Sequence, residues 1–382
     1  MKSKLLVVTY SHIEFYPPTL NALGILSEVF DEIVILQRPF TKDFSLDVKN
    51  ITLISSGKNI SVREQERSST FRKICFFLKF SLDFYKLILK YKPKMILVYD
   101  GMPILSLKII MPFLGKVPEI WYHNHDVYEK KYLKKYTLSW FAHISHKSVF
   151  KYLSIFSLPA VERIVKFKLQ HFKGRYFTIP NYPRKGSLKD NLISTPPSEK
   201  IKFIFQGSVG TGHGIEDFIE IIRNKVNGKS LELVLKGFIS EDYKNKLLEL
   251  ARLNGVSDKV FFYGMSSYDS VRQLTLQCHI GIAIFTKNDF MNQTLGTASN
   301  KIYEYAASGL PIIYYSNEHF DKYLKNQKWA FGVNIDQESM LSAIKTIDDN
   351  YNELSLNAKN SIIQEFNFEK VFEPIIQYLK TN

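Results

Sequence analysis

The chain has 382 residues, 45% hydrophobic and 23% charged, with a net charge of +14; this composition fits a globular protein of about two domains and excludes a disordered or collagen-like chain. Its two cysteines, Cys75 and Cys278, exclude a disulfide scaffold and a cysteine-rich zinc site, and fit a reducing compartment. The charge is one-sided: residues 1–180 carry 28 Lys and Arg against 14 Asp and Glu, whereas 181–382 carry 23 of each.

The N-terminus becomes polar too soon for a signal peptide and reads as a first buried strand, Leu5–Thr9. Tyr10–Pro18 stands where a glycine-rich phosphate loop would follow, and Thr19–Phe30 has the apolar spacing of an amphipathic helix. Strands are expected at Glu32–Leu36, Asn50–Ser55, Met95–Tyr99 and Val117–Tyr122, with a long helix at Arg72–Lys92. The longest apolar stretches, Ile74–Leu82 and Pro103–Leu114, are broken by Lys79 and Lys108, so none is expected to cross a bilayer. Strands alternating with helices predict a parallel α/β sheet.

After the Val117–Tyr122 strand the chain reads W-Y-H-N-H-D-V-Y-E, residues 121–129. Ligands of open parallel sheets bind beyond the carboxyl ends of strands, which is where His123, His125, Asp126 and Glu129 crowd. These side chains could ligate a metal, or the histidines could cap the loop. No second ligand cluster appears elsewhere, so no metal is expected.

Residues 130–175 then interleave Lys130, Lys131, Lys134, Lys135, Lys147, Lys151, Arg163, Lys166, Lys168 and Lys173 with tyrosines, phenylalanines and Trp140. The 72–92 helix adds Arg72, Lys73, Lys79, Lys86 and Lys90 among Phe71, Phe76, Phe77, Phe80 and Phe84. Three readings fit: an anionic lipid surface, nucleic acid, or a solvated face over an aromatic core. Lipid is preferred and nucleic acid is not expected.

Arg175–Pro183 is strand-like and turns at Pro180-Asn181, and the Ser-, Gly- and Pro-containing stretch 184–200 reads as a linker. The pattern then restarts. Strand Lys202–Gln206 leads into G-S-V-G-T-G-H-G, residues 207–214, and a helix from Ile215. Glycines between a strand and a helix let backbone N–H groups approach a phosphate. The spacing is not G-x-G-x-x-G, so no dinucleotide site is expected. Further elements follow at Leu231–Gly237, Glu241–Leu253, Val260–Gly264, Ser270–Gln277 and Gly281–Phe285.

The most informative stretch is Asn300–Tyr315, N-K-I-Y-E-Y-A-A-S-G-L-P-I-I-Y-Y. Ile302, Tyr305 and Ala306 share an apolar helical face, and Lys301, Glu304 and Ser308 another. Gly309 supplies a left-handed stop before a short strand. A helix holding a cation and a carboxylate opposite its buried face suits a ligand with phosphates and vicinal hydroxyls, though a surface helix with an i, i+3 ion pair reads the same way.

This segment resembles the donor-nucleotide signature of family 4 (group 1) glycosyltransferases, which have the GT-B fold: two Rossmann-like parallel-sheet domains facing a cleft. The resemblance implies a donor site of Gly207, Ser208, Gly212, His213, Gly214, Lys236, Gly296, Thr297, Ala298, Ser299, Asn300, Lys301 and Glu304, with Glu304 on the ribose. Ser208 and His213 stand where the family commonly has an arginine and a lysine on the diphosphate, leaving N–H groups, Lys301 and Lys236 to supply that charge; His213 would make activity pH-sensitive. Gly296 stands where an earlier glutamate is usual, and the loop 296–299 is expected to hold the donor sugar instead.

For the acceptor side the resemblance implies Tyr16, Pro17 and Asp100, with His123 or His125, and Asp126, at the reacting centre. Domains are expected at 1–183 and 201–362, with 363–382 returning to the first. The implied reaction transfers sugar from a UDP- or GDP-sugar to a saccharide hydroxyl with retention and without a metal or other cofactor. The one-sided charge adds an expected location at the cytoplasmic face of a membrane and a lipid-linked acceptor. A nucleotide-sugar epimerase of the same fold and a non-catalytic polysaccharide- or nucleic-acid-binding module are the alternatives.

Overall fold

A computed structural model describes residues 3–38, 48–57, 64, 68–127, 129, 131, 133–188 and 194–381. Lys130 of the basic stretch and positions 189–193 of the expected linker lie outside the described residues. The chain divides into two compact units, Met1–Pro180 with Val371–Asn382, and Asn181–Lys370. The linker expected at 184–200 is part of the second unit, because its described residues are tied in: the Ser194 N–H donates to Ser308 and the Ser194 hydroxyl to the Cys278 carbonyl. The returning C-terminal piece begins at Val371 rather than 363, partway along the last helix, Phe368–Thr381.

In the first unit β1 (Lys4–Thr9), β2 (Glu32–Gln37), β3 (Ile51–Ser55), β4 (Met95–Tyr99), β5 (Glu119–His123), β6 (Ile155–Leu158) and β7 (Arg175–Thr178) form one sheet. The order is β3-β2-β1-β4-β5-β6-β7 with every pairing parallel. Both faces of a parallel sheet are covered, which is why its central strands read as continuous apolar runs. Strand order reverses between β1 and β4, opening the crevice where ligands of such sheets bind. Helix α1 is Pro17–Leu26, starting two residues before the expected Thr19 because prolines fit a first helical turn.

Helix α2, Thr70–Tyr91, is capped by the Ser69 hydroxyl, which accepts from the Arg72 N–H, and stops at Lys92 in a left-handed conformation. Phe77, Phe80 and Phe84 are buried, the latter two in the core with Leu6, Val8 and Ile96. α3 (Gly101–Ile110) and α4 (Leu138–Val149) follow.

The second unit has β8 (Lys200–Gln206), β9 (Lys225–Val226), β10 (Lys229–Lys236), β11 (Val260–Tyr263), β12 (Ile280–Ala283), β13 (Ile312–Tyr315) and β14 (Ala330–Val333). Its parallel order is β11-β10-β8-β12-β13-β14, with the two-residue β9 antiparallel on β10. The switch point lies between β8 and β12. α5 is Ile215–Ile221, α6 Glu241–Leu253, α7 Tyr268–Thr275 and α8 Asn300–Ala307. α8 ends as its sequence implies: Gly309 sits at φ +76°, and the Leu310 N–H returns to the Tyr305 carbonyl at 2.9 Å. No helix of the described residues is long and apolar enough to cross a membrane.

α8 packs on β12 through one close approach. A Cβ on Gly281 would lie 2.3 Å from the fully buried Tyr305 ring, so only glycine fits. Gly281→Ala is expected to destabilise the second unit by about 1–3 kcal/mol through overpacking, measured as a lowered midpoint in urea unfolding.

Candidate active site

In the second unit Glu304 lies on α8 beside the carboxyl end of β8, at the switch point. The Gln206 side-chain amide donates to Glu304 Oε2 at 2.6 Å, while Gln206 Oε1 accepts from the Thr275 hydroxyl at 3.0 Å. The Tyr268 hydroxyl also bonds to Glu304. With Arg272, Val271, Ala307, Ser308 and Pro183 these residues line a small cavity. Burial raises the Glu304 carboxyl pKa and lowers that of the Lys301 ammonium, each favouring its uncharged form. Lys301 Nζ sits 3.9 Å from the centre of the Phe205 ring and 5.1 Å from that of Phe285.

The glycine-rich turn has the backbone its composition requires, with φ of +117° at Gly207, +84° at Gly212 and +67° at Gly214. Two of its N–H groups are committed to protein: Gly207 donates to the Lys236 carbonyl and Val209 to that of Phe238, both at 2.8 Å. Ser208 is exposed. His213 stacks on Phe205 with ring centres 4.7 Å apart, and burial, then Lys301 and Lys287, push its pKa down to about 4. The pH response expected of His213 would accordingly fall in the acid range, toward pH 4.

Lys236 is 6% exposed and donates to the Gly264 carbonyl, so its expected diphosphate role meets a competing internal bond. Lys287, which the sequence reading passed over, lies over the turn instead: its aliphatic stem would be 2.7 Å from a Cβ on Gly212. Lys287 thus stands over the turn whose positions 208 and 213 lack a basic side chain, with the buried Lys301 amine also beside Gly207.

The loop expected to hold the donor sugar is turned inward. Gly296, Thr297, Ala298 and Ser299 are buried. The Gly296 N–H donates to His319 Nε2 at 2.9 Å and its carbonyl accepts from the Tyr303 hydroxyl at 2.7 Å. Asn181 holds the next two carbonyls, its N–H on Thr297 at 2.9 Å and its side-chain amide on Ala298 at 2.7 Å. None of the four lines the Glu304 cavity. Asn300 opens α8 with its Oδ1 buried and without a hydrogen-bond partner among the described residues.

In the first unit the switch point holds a cavity of about 360 Å³, lined by Thr9 and Tyr10 at the end of β1, Tyr99 and Asp100 at the end of β4, and Asn124 and Asp126 from beyond β5. Tyr16 lines it; Pro17 opens α1 beside it. Asp100 has φ +64° and ψ −177°, a conformation that glycine takes easily and aspartate only under strain of roughly 1–3 kcal/mol. It is held by its N–H on the His123 carbonyl at 2.9 Å, while its carboxylate accepts from the His125 N–H at 2.7 Å and lies 3.1 Å from His125 Nδ1.

The two candidate histidines are separated by these partners. His125 bridges Asp100 to the Thr19 hydroxyl, 3.3 Å from Nε2, and stacks on Tyr99 with centres 4.9 Å apart. His123, the last residue of β5, turns to Ser157 at 2.8 Å and is buried, which drives its pKa far down. Asp126 is half-exposed on the cavity, its pKa raised by desolvation and by Asp100. Arg163, counted from sequence with the surface cations, is 1% exposed and donates to the His125 carbonyl. Asn124 and His146 were also missed; a position just past a strand's carboxyl end was the available signal for Asn124, whereas His146 comes from α4 with none.

Residues 189–363 match the family model described as glycosyl transferases group 1. Among solved structures, sucrose-phosphate synthase from Thermosynechococcus elongatus has a TM-score of 0.68 at 11% identity, with 100% of this chain and 99% of that one covered. HepE from Anabaena, solved with UDP and glucose, gives 0.67 at 13% identity and full coverage of both chains. WaaG, described as a glycosyltransferase involved in lipopolysaccharide biosynthesis, gives 0.66 at 11% identity, covering 99% and 100%. No curated protein matches the sequence. The fold is therefore GT-B, and residues 189–363 are similar to the group 1 glycosyl transferase model.

Three desolvated histidines, His12, His123 and His146, make the first unit acid-sensitive. Burial lowers the pKa of His12 to about 4 and that of His146 to about 3. A base whose folded pKa is depressed stabilises fully above its unfolded value near 6.5, and that contribution is lost as pH falls toward the folded value. Unfolding free energy should decline from pH 6.5 to 4.5, and His146→Gln should flatten the decline by up to about 1 kcal/mol per pH unit, read by denaturant titration at each pH.

Proposed function

We propose that the protein is a retaining glycosyltransferase that moves a hexosyl or N-acetylhexosaminyl group from a nucleoside diphosphate sugar to a saccharide hydroxyl. The observation that carries this reading is the Glu304 carboxylate, set at the switch point of the second unit inside the segment matching the group 1 domain. A carboxylate oriented by Gln206 and Tyr268 can accept from both hydroxyls of a ribose. UDP is the favoured nucleotide, since HepE was solved with it on the same fold.

In this scheme Lys301 and Lys287, flanking the glycine turn, stabilise the charge that develops on the departing diphosphate. A phosphate beside Lys301 favours the ammonium form that burial disfavours. No metal or other cofactor is required. The acceptor occupies the first unit's cavity, where Asp126 and Asn124 meet its hydroxyls and Asp100 fixes His125 at the reacting centre. The excess positive charge of residues 1–180 and the lipopolysaccharide role stated for WaaG favour a lipid-linked acceptor, and a location on the cytoplasmic face of the membrane.

Thermal-shift titration tests the donor half. UDP is expected to raise the melting temperature, GDP to do so less, and EDTA to leave the shift intact; Glu304→Ala should remove it while unfolding at nearly the same temperature without ligand. Absence of any nucleotide shift would contradict the reading. A sugar altered by the protein without an acceptor would indicate an epimerase instead.

A further inference from the structure

Helix α2 carries two apolar faces, and only one is used by the fold. Phe77, Phe80, Phe84, Leu87 and Ile88 are buried in the first unit. A second set is exposed: Phe71 by 77%, Ile74 by 39%, Leu78 by 54%, Leu82 by 52% and Leu89 by 50%. At 100° per residue these five fall within an arc of about 80°, and from first to last they extend about 27 Å. The expectation that the helix's phenylalanines meet a partner is corrected here: Phe71 faces out, whereas Phe77, Phe80 and Phe84 are core.

The exposed stripe continues onto a neighbouring segment. The Tyr85 hydroxyl, beside the stripe, donates to the Phe113 carbonyl at 3.4 Å, and Phe113 is itself 71% exposed. On the opposite border of the stripe, helical spacing places Arg72, Lys79, Lys86 and Lys90. Asp83 lies on this border too, paired with Lys79 at 2.8 Å. An apolar stripe bordered by cations is the pattern of a helix lying in the plane of an anionic lipid surface, apolar side chains in the acyl boundary and cations at the headgroups.

We propose that the outer face of α2, with Phe113, is the surface by which this protein docks on an anionic bilayer. The inference rests on the reading that the acceptor is membrane-held and identifies the face that meets the lipid. A bilayer suits this surface better than an antiparallel second copy of the chain, because that two-fold pairing sets the cationic borders of the two helices side by side, whereas phosphatidylglycerol headgroups neutralise them.

The test is flotation with vesicles of phosphatidylglycerol and phosphatidylcholine, alongside vesicles of phosphatidylcholine alone. The wild-type chain should float with the anionic vesicles only. Leu78→Glu with Leu82→Glu should lower the bound fraction at least tenfold without changing the melting temperature, and Lys86→Ser with Lys90→Ser should weaken binding and its salt dependence. Should the glutamate pair unfold, Leu78→Gln with Leu82→Gln gives the same readout.

Wild-type flotation that persists in the leucine variants would overturn the assignment to α2 while leaving membrane association standing. A wild-type chain that ignores anionic vesicles would overturn both. A dimer in sedimentation velocity that the leucine variants dissociate, without lipid binding, would assign the face to a second copy and overturn the proposal.

Discussion

A carboxylate withdrawn from water must be compensated by hydrogen bonds or give up its charge, and the second unit is arranged around one such group. Glu304 sits on a helix whose other face is locked to the sheet by Tyr305 against Gly281. Its oxygens meet Gln206, the last residue of β8, and Tyr268 from a third element. Those donors fix the carboxylate's direction without fully satisfying it, and its raised pKa records the remaining desolvation. In the function proposed, the two adjacent hydroxyls of a ribose supply what is missing, and a phosphate beside Lys301 offsets the same burial there.

The first unit solves a related problem by backbone strain. Asp100 occupies a conformation unfavourable to any residue with a side chain, at the point where strand order reverses. Four bonds to residues 123–125 hold it there, and through them and the Thr19 hydroxyl His125 is fixed at both ring nitrogens. Strain that the surroundings must continually oppose is characteristic of functional sites. Arg163, buried behind the loop on the His125 carbonyl, is part of that support rather than of the basic surface.

Much of the layout was legible from the residues. The apolar runs of central strands are long enough to read, and the stop at Gly309 follows from the chemistry of a helix end. What could not be read has identifiable causes. Ala330–Val333 is too short and too mixed to show a period. His123 and His125 are equivalent in one dimension, and only the strand end, turning one toward Ser157 and the other toward Asp100, separates them. Helix 70–91 is apolar on two sides, so its spacing could not say which phenylalanines are core. Lys287 lies over a turn far earlier in the chain, a relation set by β8 and β12 lying side by side.

In the function proposed, Glu304 receives a nucleoside diphosphate through its ribose. A crystal structure of the protein grown with UDP tests it most directly. Both ribose hydroxyls are expected within hydrogen-bond distance of the Glu304 carboxylate, with the diphosphate between the glycine turn and Lys301. UDP bound elsewhere on the second unit, with Glu304 still held only by Gln206 and Tyr268, would contradict it.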